Sequence, residues 1–253
     1  DQWGVLHDGT RLHPGALEVF EELNKRKKQI IIISNSGKRA DPNIRRLEKL
    51  GLSRELYRDI ITAGEMTWRA LKDQDRPPFK DLGKKCLLFV HGDDPGTILD
   101  GLDLERVHTA KEADFILMAG TDFPRAQMAD YEPYLREGVR MGLHMICANP
   151  DQQVIFDGMT GLGAGQVARR YEEFGGVVTY IGKPHAPVFK FCTDIFQDVY
   201  PGETLVIGDS LGQDVAGGAN VGMDTCLVRR GIHAQAFSAS EDNPAALHKR
   251  LEQ

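Results

Sequence analysis

Five side chains that carry chemistry fall at or just past four places that read as strand ends. Asp1 opens DQWGVLHDG, Ser34 follows the run IIII, Lys183 lies in YIGKPHAP, and Asp209 and Asp214 lie in TLVIGDSLGQD. Two carboxylates at neighbouring strand ends, Asp1 and Asp209, repel each other unless a cation lies between them. An all-oxygen site with few protein ligands suits Mg²⁺, which keeps some water and takes substrate phosphate. Lys183 would then balance the charge of a phosphoryl group, while the Ser34 hydroxyl and nearby backbone N–H groups grip its oxygens. Asp214, five residues past Asp209, falls in a first helical turn, where a carboxylate is favoured. It would hold either a metal-bound water or Lys183. This set admits in-line attack of a carboxylate on phosphorus to give an aspartyl-phosphate. Any one of these residues alone has an ordinary structural explanation; their joint presence, in this order, is the specific signal.

The intervening pattern accounts for how such residues would be brought together. Leu17, Phe20 and Leu23 form a helical face after Pro14-Gly15. The β-branched run at 30–33 suits a buried parallel strand, and Ile44, Leu47 and Leu50 mark a helix closed by Gly51. A short strand at Ile60-Ile61 and a helix over 66–71 follow, with Trp68 read as core. The polar tract 73–83, which holds Pro77-Pro78, reads as a hinge or linker. Beyond it the pattern predicts strands at 86–90, 115–118 and 144–148 and a helix over 131–141. A helix over 165–174 precedes a strand at 177–181 that leads into Gly182-Lys183-Pro184. A helix over 187–199, a strand at 204–207, a helix near 214–220, a strand at 225–228 and a C-terminal helix complete the reading. Repeated β-then-α order predicts an α/β fold with parallel strands, right-handed crossovers and a ligand beyond the strand C-termini. The chain opens at Asp1 in what reads as a loop, so an apolar strand is expected before it in a longer protein.

Composition narrows the class. The chain has 253 residues, 41% hydrophobic and 27% charged, with net charge −6. That sign argues against a nucleic-acid partner bound through its phosphates, and the basic cluster at 25–28 reads as complementing a helix C-terminus. No apolar stretch is long enough to span a membrane, and no signal peptide is read. The four cysteines, Cys86, Cys147, Cys192 and Cys226, form no CxxC pair and lie in apolar segments. They read as buried free thiols, with a cytoplasmic location expected. A homo-oligomer is compatible with the composition, which does not fix the oligomeric state.

At this point the sequence resembles the haloacid dehalogenase (HAD) superfamily. Its four motifs appear in order as Asp1, Ser34, Lys183, and Asp209 with Asp214, and the match covers nearly the whole chain. The resemblance is to subfamily IIA, the branch of N-acetylglucosamine-operon and p-nitrophenyl phosphatases. GVLHDG at 4–9 resembles that branch's first-motif run, Ser34-Asn35-Ser36 its Thr-Asn-Asn, and Asn149-Pro150-Asp151 its cap-end NPD. GLGAGQVARRYEEFGG followed by YIGKP resembles its approach to the lysine motif. The resemblance implies a Rossmann-like core over 1–76 and 179–253 with a C2-type α/β cap inserted over 77–178. It further implies that Asp1 and Lys183 are catalytic and that Ser34, Asn35, Ser36 and Lys183 bind phosphate. Mg²⁺ would be held by Asp1, Asp209 and the Trp3 backbone carbonyl, with Asp214 behind them. The substrate would be a small phosphorylated metabolite such as a sugar phosphate.

One position departs from the family. Where the first motif reads Asp-x-Asp and the second Asp is the general acid/base, this chain has Trp3. The carbonyl ligand survives that change; the proton-transfer group does not. His7 and Asp8 are the nearest substitutes, His7 reading more readily as a flap residue. The alternative is therefore a catalytically weak or non-hydrolytic protein that binds a phosphorylated ligand. Dehalogenation needs no Mg²⁺ and is disfavoured by the Asp209/Asp214 pair. C–P cleavage would need a cap lysine, and Lys111 shows no sign of that role. GLGAG at 161–165 is not the GxGxxG of a dinucleotide site and reads as the opening of a helix. His91-Gly92-Asp93-Asp94 reads as a loop or a cap contribution to substrate, His185 as a polar loop residue. Asp151 either reaches toward the substrate or caps a turn.

Overall fold

Short apolar runs become strands, β-branched at Ile31–Ser34 and richer in Leu, Met and Phe in Lys85–Phe89 and Phe115–Met118, and segments of helical apolar period between them become helices. The computed structural model of the chain describes residues 1–92, 94–156, 159–234 and 237. In order these form α1 (Ala16–Lys25), β1 (Ile31–Ser34), α2 (Ala40–Lys49), β2 (Asp59–Thr62) and α3 (Ala63–Asp73). Then come β3 (Lys85–Phe89), β4 (Glu105–Val107), β5 (Phe115–Met118), α4 (Met128–Arg140) and β6 (His144–Cys147). They are followed by β7 (Gln153–Phe156), β8 (Met159–Leu162), α5 (Ala164–Glu173), β9 (Val177–Tyr180) and α6 (Ala186–Phe196). The last are β10 (Leu205–Gly208), α7 (Ala216–Asn220) and β11 (Asp224–Leu227).

The largest sheet has five parallel strands in the order β4-β3-β5-β6-β9. All four residues of its central strand β5 are buried, as expected when a parallel sheet is covered on both faces. Alternate residues feed two apolar layers. Ile116, Met118, Met145 and Cys147 pack with Tyr131, Leu135, Val167 and Tyr171 of α4 and α5. Phe115, Leu117 and Ile146 pack with Leu71, Phe79 and Leu82. The tract 73–83 is thus no free linker. Its Phe79 and Leu82 are buried, and a 3-10 turn spans Phe79–Asp81.

The site-bearing strands form two further parallel pairs, β1 with β2 and β10 with β11. Between β1 and β10 runs an apolar slot of about 850 Å³ lined in part by Ile31, Ile32, Ile33, Leu205, Val206 and Ile207. Asp1 lies at its end, its nitrogen donating to the Ile207 carbonyl at 3.1 Å.

Several expectations change. The helix expected near 214–220 opens as a π-type turn, Leu211–Val215, before α7. β4 and the antiparallel hairpin β7-β8 were not foreseen. Trp68 is only half-buried. It donates from Nε1 to the Asp100 carbonyl at 2.8 Å and lies beneath Arg39 and Lys72, 3.7 and 4.8 Å from its ring centre. Cys86, Cys147 and Cys192 are buried free thiols, but Cys226 is exposed. The expected C-terminal helix lies outside the described residues. Among the described residues no helix is long and apolar enough to cross a membrane.

Candidate active site

Lys183 is the centre of the arrangement. It leaves β9 through Gly182, whose φ of +119° excludes a side chain and whose added Cβ would lie 2.6 Å from Asn35 Oδ1. Lys183 is 0% exposed. Its Nζ lies 3.0 Å from Asp1 Oδ2 and 2.7 Å from Asp214 Oδ1. The remaining Asp214 oxygen accepts from the Ser210 N–H at 3.1 Å. Burial pushes the Asp214 carboxyl up, but the adjacent Lys183 ammonium outweighs it and holds the group below the usual carboxylate range.

Asp209 follows β10, and its Oδ2 accepts from the Ile232 N–H at 2.8 Å. Backbone reaches that oxygen because Gly4 and Gly231 carry no Cβ; one added there would lie 2.2 or 1.8 Å from it. Burial raises the Asp209 carboxyl, and the charge on Asp214 raises it further. Asp1 accepts at Oδ1 from the Gln2 N–H at 2.7 Å. One carboxylate oxygen from each of Asp1, Asp209 and Asp214 falls within 4.8 Å of the others. Asp1 and Asp214 contact the Lys183 ammonium and Asp209 lies beside them, so the cluster carries excess negative charge that a divalent cation fits.

At the end of β1, Ser34 is buried and its Oγ accepts from the Ser36 N–H at 3.2 Å. Ser36 is half-buried and accepts at Oγ from the Lys38 N–H at 3.3 Å. Asn35 faces the lysine loop. Its Oδ1 accepts from the Lys183 N–H at 2.7 Å, and its Nδ2 donates to the Lys183 carbonyl at 3.1 Å and to Asp151 Oδ1 at 2.9 Å.

Of the two residues weighed as substitutes at the Trp3 position, Asp8 is fully engaged and His7 is engaged at Nδ1, its Nε2 being buried without a hydrogen-bond partner. His7 is buried against Trp3, edge to face with ring centres 4.8 Å apart, and its Nδ1 accepts from the Gly9 N–H at 3.0 Å. Burial, helped by Arg46, lowers His7 to about 4, so the ring is neutral at pH 7. Asp8 is bound into a turn. Its Oδ1 accepts from the Thr10 hydroxyl and from the Thr10 and Arg11 N–H groups, and these bonds hold it well below the usual carboxylate range. The Trp3 ring is also approached by Arg46, with Cζ 5.4 Å from the ring centre.

Other features singled out in the sequence sort as follows. His185 is exposed and stacks on Tyr180 at 5.7 Å. His91 Nδ1 is 3.1 Å from the Thr121 carbonyl, and Asp94 accepts from the N–H groups of Gly96 and Thr97. Asp93 lies outside the described residues. Lys111 is exposed. Asp151 reaches Asn35 of the Ser34 loop, and Gln213 Nε2 also donates to its Oδ1 at 2.8 Å. Sequence reasoning missed Gln213 and Arg46: an uncharged neighbour of Asp214 and one arginine among several on a helix carry no local signal.

In this parallel α/β fold Ser34 closes β1, Lys183 and Asp209 follow β9 and β10, and Asp1 and Asp214 meet at Lys183. A family model described as haloacid dehalogenase-like hydrolase matches residues 1–105, and a second HAD hydrolase-like model matches 180–253. The chain belongs to the haloacid dehalogenase-like hydrolases. It is 27% identical to bovine (Bos taurus) chronophin, the alignment covering 98% of this chain and 87% of that one. The crystal structure of a haloacid dehalogenase-like hydrolase from Brucella suis 1330 superposes with TM-score 0.81 at 28% identity, over 92% of this chain and 87% of that one. The p-nitrophenyl phosphatase from Archaeoglobus fulgidus shares the fold with TM-score 0.72 at 23% identity, over 100% and 91% of the two chains.

Proposed function

We propose that the chain hydrolyses a small phosphorylated metabolite, of the sugar-phosphate class, through an aspartyl-phosphate on Asp1. The observation that carries this reading is Lys183 Nζ, buried and held between Asp1 Oδ2 and Asp214 Oδ1. Asp1 is the nucleophile: a carboxylate oxygen attacks phosphorus in line as the P–O ester bond breaks, and the departing oxygen takes its proton from water. Lys183 balances the charge on the transferred group, and Ser34 with the N–H groups of its loop holds the phosphoryl oxygens. Water then cleaves the Asp1 phosphate and restores the carboxylate. Mg²⁺ fits the oxygen set of Asp1, Asp209 and the Trp3 carbonyl, with Asp214 behind, and when bound would neutralise carboxylate and phosphate charge there. Chronophin and the A. fulgidus p-nitrophenyl phosphatase support the phosphatase reading by likeness. We further assign the core to 1–76 and 179–253 and the cap to 77–178, although β9 pairs with β6 as far as Tyr180. The buried thiols suit a cytoplasmic setting.

A second reading, a protein that binds a phosphorylated ligand and turns it over slowly or not at all, is favoured by one observation. Trp3 stands where the resembled first motif has its acid/base Asp, the nearby His7 ring is buried and neutral, and Asp8 is bound into a turn. One pair of measurements separates the two: steady-state hydrolysis of p-nitrophenyl phosphate with Mg²⁺, and Mg²⁺ titration of the melting temperature. Because burial raises Asp209, charging it costs the folded protein stability as pH rises past the ordinary carboxylate value of about 3.9. A bound cation relieves that cost, so the Mg²⁺-induced gain in Tm should grow from acid to neutral pH. Asp209→Asn should flatten this dependence. Equal stabilisation of parent and variant at every pH would remove Asp209 from the metal site.

A further inference from the structure

Asp151 belongs to none of the four strand-end motifs of the site. It lies in the turn after β6, on the five-stranded sheet, yet two amide groups from elsewhere converge on one of its oxygens. Asn35 Nδ2 donates to Oδ1 at 2.9 Å and Gln213 Nε2 donates to the same atom at 2.8 Å. Asn35 also brackets the Lys183 peptide, accepting from its N–H at 2.7 Å and donating to its carbonyl at 3.1 Å. Gln213 immediately precedes Asp214, the partner of Lys183 Nζ. We propose that Asp151 is a positioning residue for this site, tying the loops of Ser34, Lys183 and Asp214 together through Asn35 and Gln213. The proposal rests on the hydrolytic reading above for its kinetic consequence, though not for its geometry.

The physical reason is hydrogen-bond acceptance: one Asp151 oxygen takes an N–H from each of two side-chain amides. Facing Asp151, the Asn35 amide must present its nitrogen; its oxygen is then left for the Lys183 N–H. Lys183 independently demands the same orientation, because its N–H is buried and needs an acceptor. One carboxylate oxygen thereby fixes the rotamer of Asn35 and, through it, the register of the peptide from which Lys183 reaches Asp1. The turn carrying Asp151 is itself held. Its backbone N–H donates to Asn149 Oδ1 at 3.1 Å, and its carbonyl accepts from the Gly165 N–H at 2.9 Å. The glycines of GLGAG make that seat. A Cβ on Gly163 would lie 2.2 Å from the Asp151 carbonyl oxygen, and one on Gly165 would lie 2.1 Å from that of Pro150. The glycine run at 161–165 thus serves as the bearing for Asp151.

The test uses the full chain as parent, Asp151→Asn, Asp151→Ala and Gln213→Leu. The readouts are kcat and KM for p-nitrophenyl phosphate with Mg²⁺, Tm, and calorimetric binding of inorganic phosphate with Mg²⁺. Groups that orient a metal site from behind are typically worth about 10–100-fold in activity. Asp151→Ala should therefore lose about 10–100-fold in kcat with a smaller change in KM. Asp151→Asn, which keeps an acceptor oxygen and drops the charge, should stay close to the parent. An Asn variant as impaired as the Ala variant would mean that charge, not hydrogen-bond acceptance, is what matters, and would overturn the proposal. Parent-like kcat in Asp151→Ala would do the same. Should Asp151→Ala fail to fold, Gln213→Leu cuts one link alone; a reduced kcat supports the proposal and an unchanged kcat overturns it. Should the parent show no turnover, the hydrolytic reading fails, and phosphate binding decides the positioning role. Binding weakened in Asp151→Ala and kept in Asp151→Asn supports it; equal binding in all three overturns it.

Discussion

Trp3 stands two residues beyond Asp1, and its neighbours decide what a carboxylate there would do. Arg46 Cζ lies 5.4 Å from its ring centre, which puts a guanidinium in the neighbourhood of any carboxylate placed here. A carboxylate beside Arg⁺ typically falls about 1–3 units in pKa, whereas a general acid works best with a pKa near the operating pH. Trp3→Asp alone should therefore raise steady-state turnover only modestly. Trp3→Asp with Arg46→Met should raise it further, within the roughly 10²–10⁴-fold that a positioned acid/base supplies. The gain should be larger for alkyl than for aryl phosphates, because an aryl oxygen departs with less protonation. Comparing kcat for both ester types in the three proteins checks this. A double variant no faster than the parent would mean that another group already moves the proton. At this scale the sequence was informative about type and order. Lys183, Asp1 and Asp214 do meet, and Asp209 lies beside them. Arg46 and Gln213 were not legible, because their importance comes from which way two helical turns face.

The loop at Ser34 depends on how α2 and α3 begin. Glu65, in the first turn of α3 and almost wholly buried, accepts from Arg39 Nε at 2.6 Å, from Arg69 Nε at 3.2 Å and from the Ala40 N–H at 3.3 Å. It thereby pins the N-terminus of α2 to that of α3, while Thr62 caps α3 by accepting from the Glu65 N–H at 2.9 Å. Breaking a buried pair from one side costs about 3–5 kcal/mol, and the partial exposure of Arg39 places Glu65→Ala at about 2–3 kcal/mol. Denaturant unfolding of that variant should show this loss, and a change under about 0.5 kcal/mol, as at an ordinary surface site, would show that the pair is incidental. Most elements were readable from their period: Phe115–Met118 appears with the expected ends. β4 was missed because Glu105-Arg106-Val107 is a three-residue edge with two charges. The hairpin was missed although Asp-Gly at 157–158 is a strong turn signal, because the glycine-rich run beside it drew the reading toward a helix start. The π-type turn arises from Val215 N–H bonding back to the Ser210 carbonyl, a spacing that no apolar pattern encodes.

Across the molecule, the segment 77–178 touches the rest through side chains that matter to the site. Leu71 of α3 shares an apolar layer with Phe79, Leu88 and Leu117, and Asp151 holds Asn35. If 77–178 is excised and 76 joined to 179, the remaining chain should keep a Mg²⁺-dependent rise in Tm but lose turnover of p-nitrophenyl phosphate. Full turnover in the excised protein would show that the core positions Lys183 unaided; failure to fold would show that the shared layer makes the two parts one cooperative unit. In the sequence, the proposed insertion rests on the Pro77-Pro78 entry and on the resemblance of its flanks. The packing that closes it, with Phe79 and Leu82 buried in a tract that reads as linker, was invisible because two apolar residues in a polar stretch make no pattern.

The two tryptophans make the molecule an optical instrument for its own two regions. Trp3 lies in the loop that follows Asp1, against His7 and Arg46; Trp68 lies where α3 meets the Asp100 carbonyl, under Arg39 and Lys72. Indole emission responds to the charges around it, so the two residues report separate events in one spectrum. In the Trp68→Phe protein, Mg²⁺ with inorganic phosphate should shift the fluorescence of Trp3. In the Trp3→Phe protein the same additions should leave Trp68 unchanged. If instead Trp68 alone responds, the ligand's main effect is to move the two regions against each other.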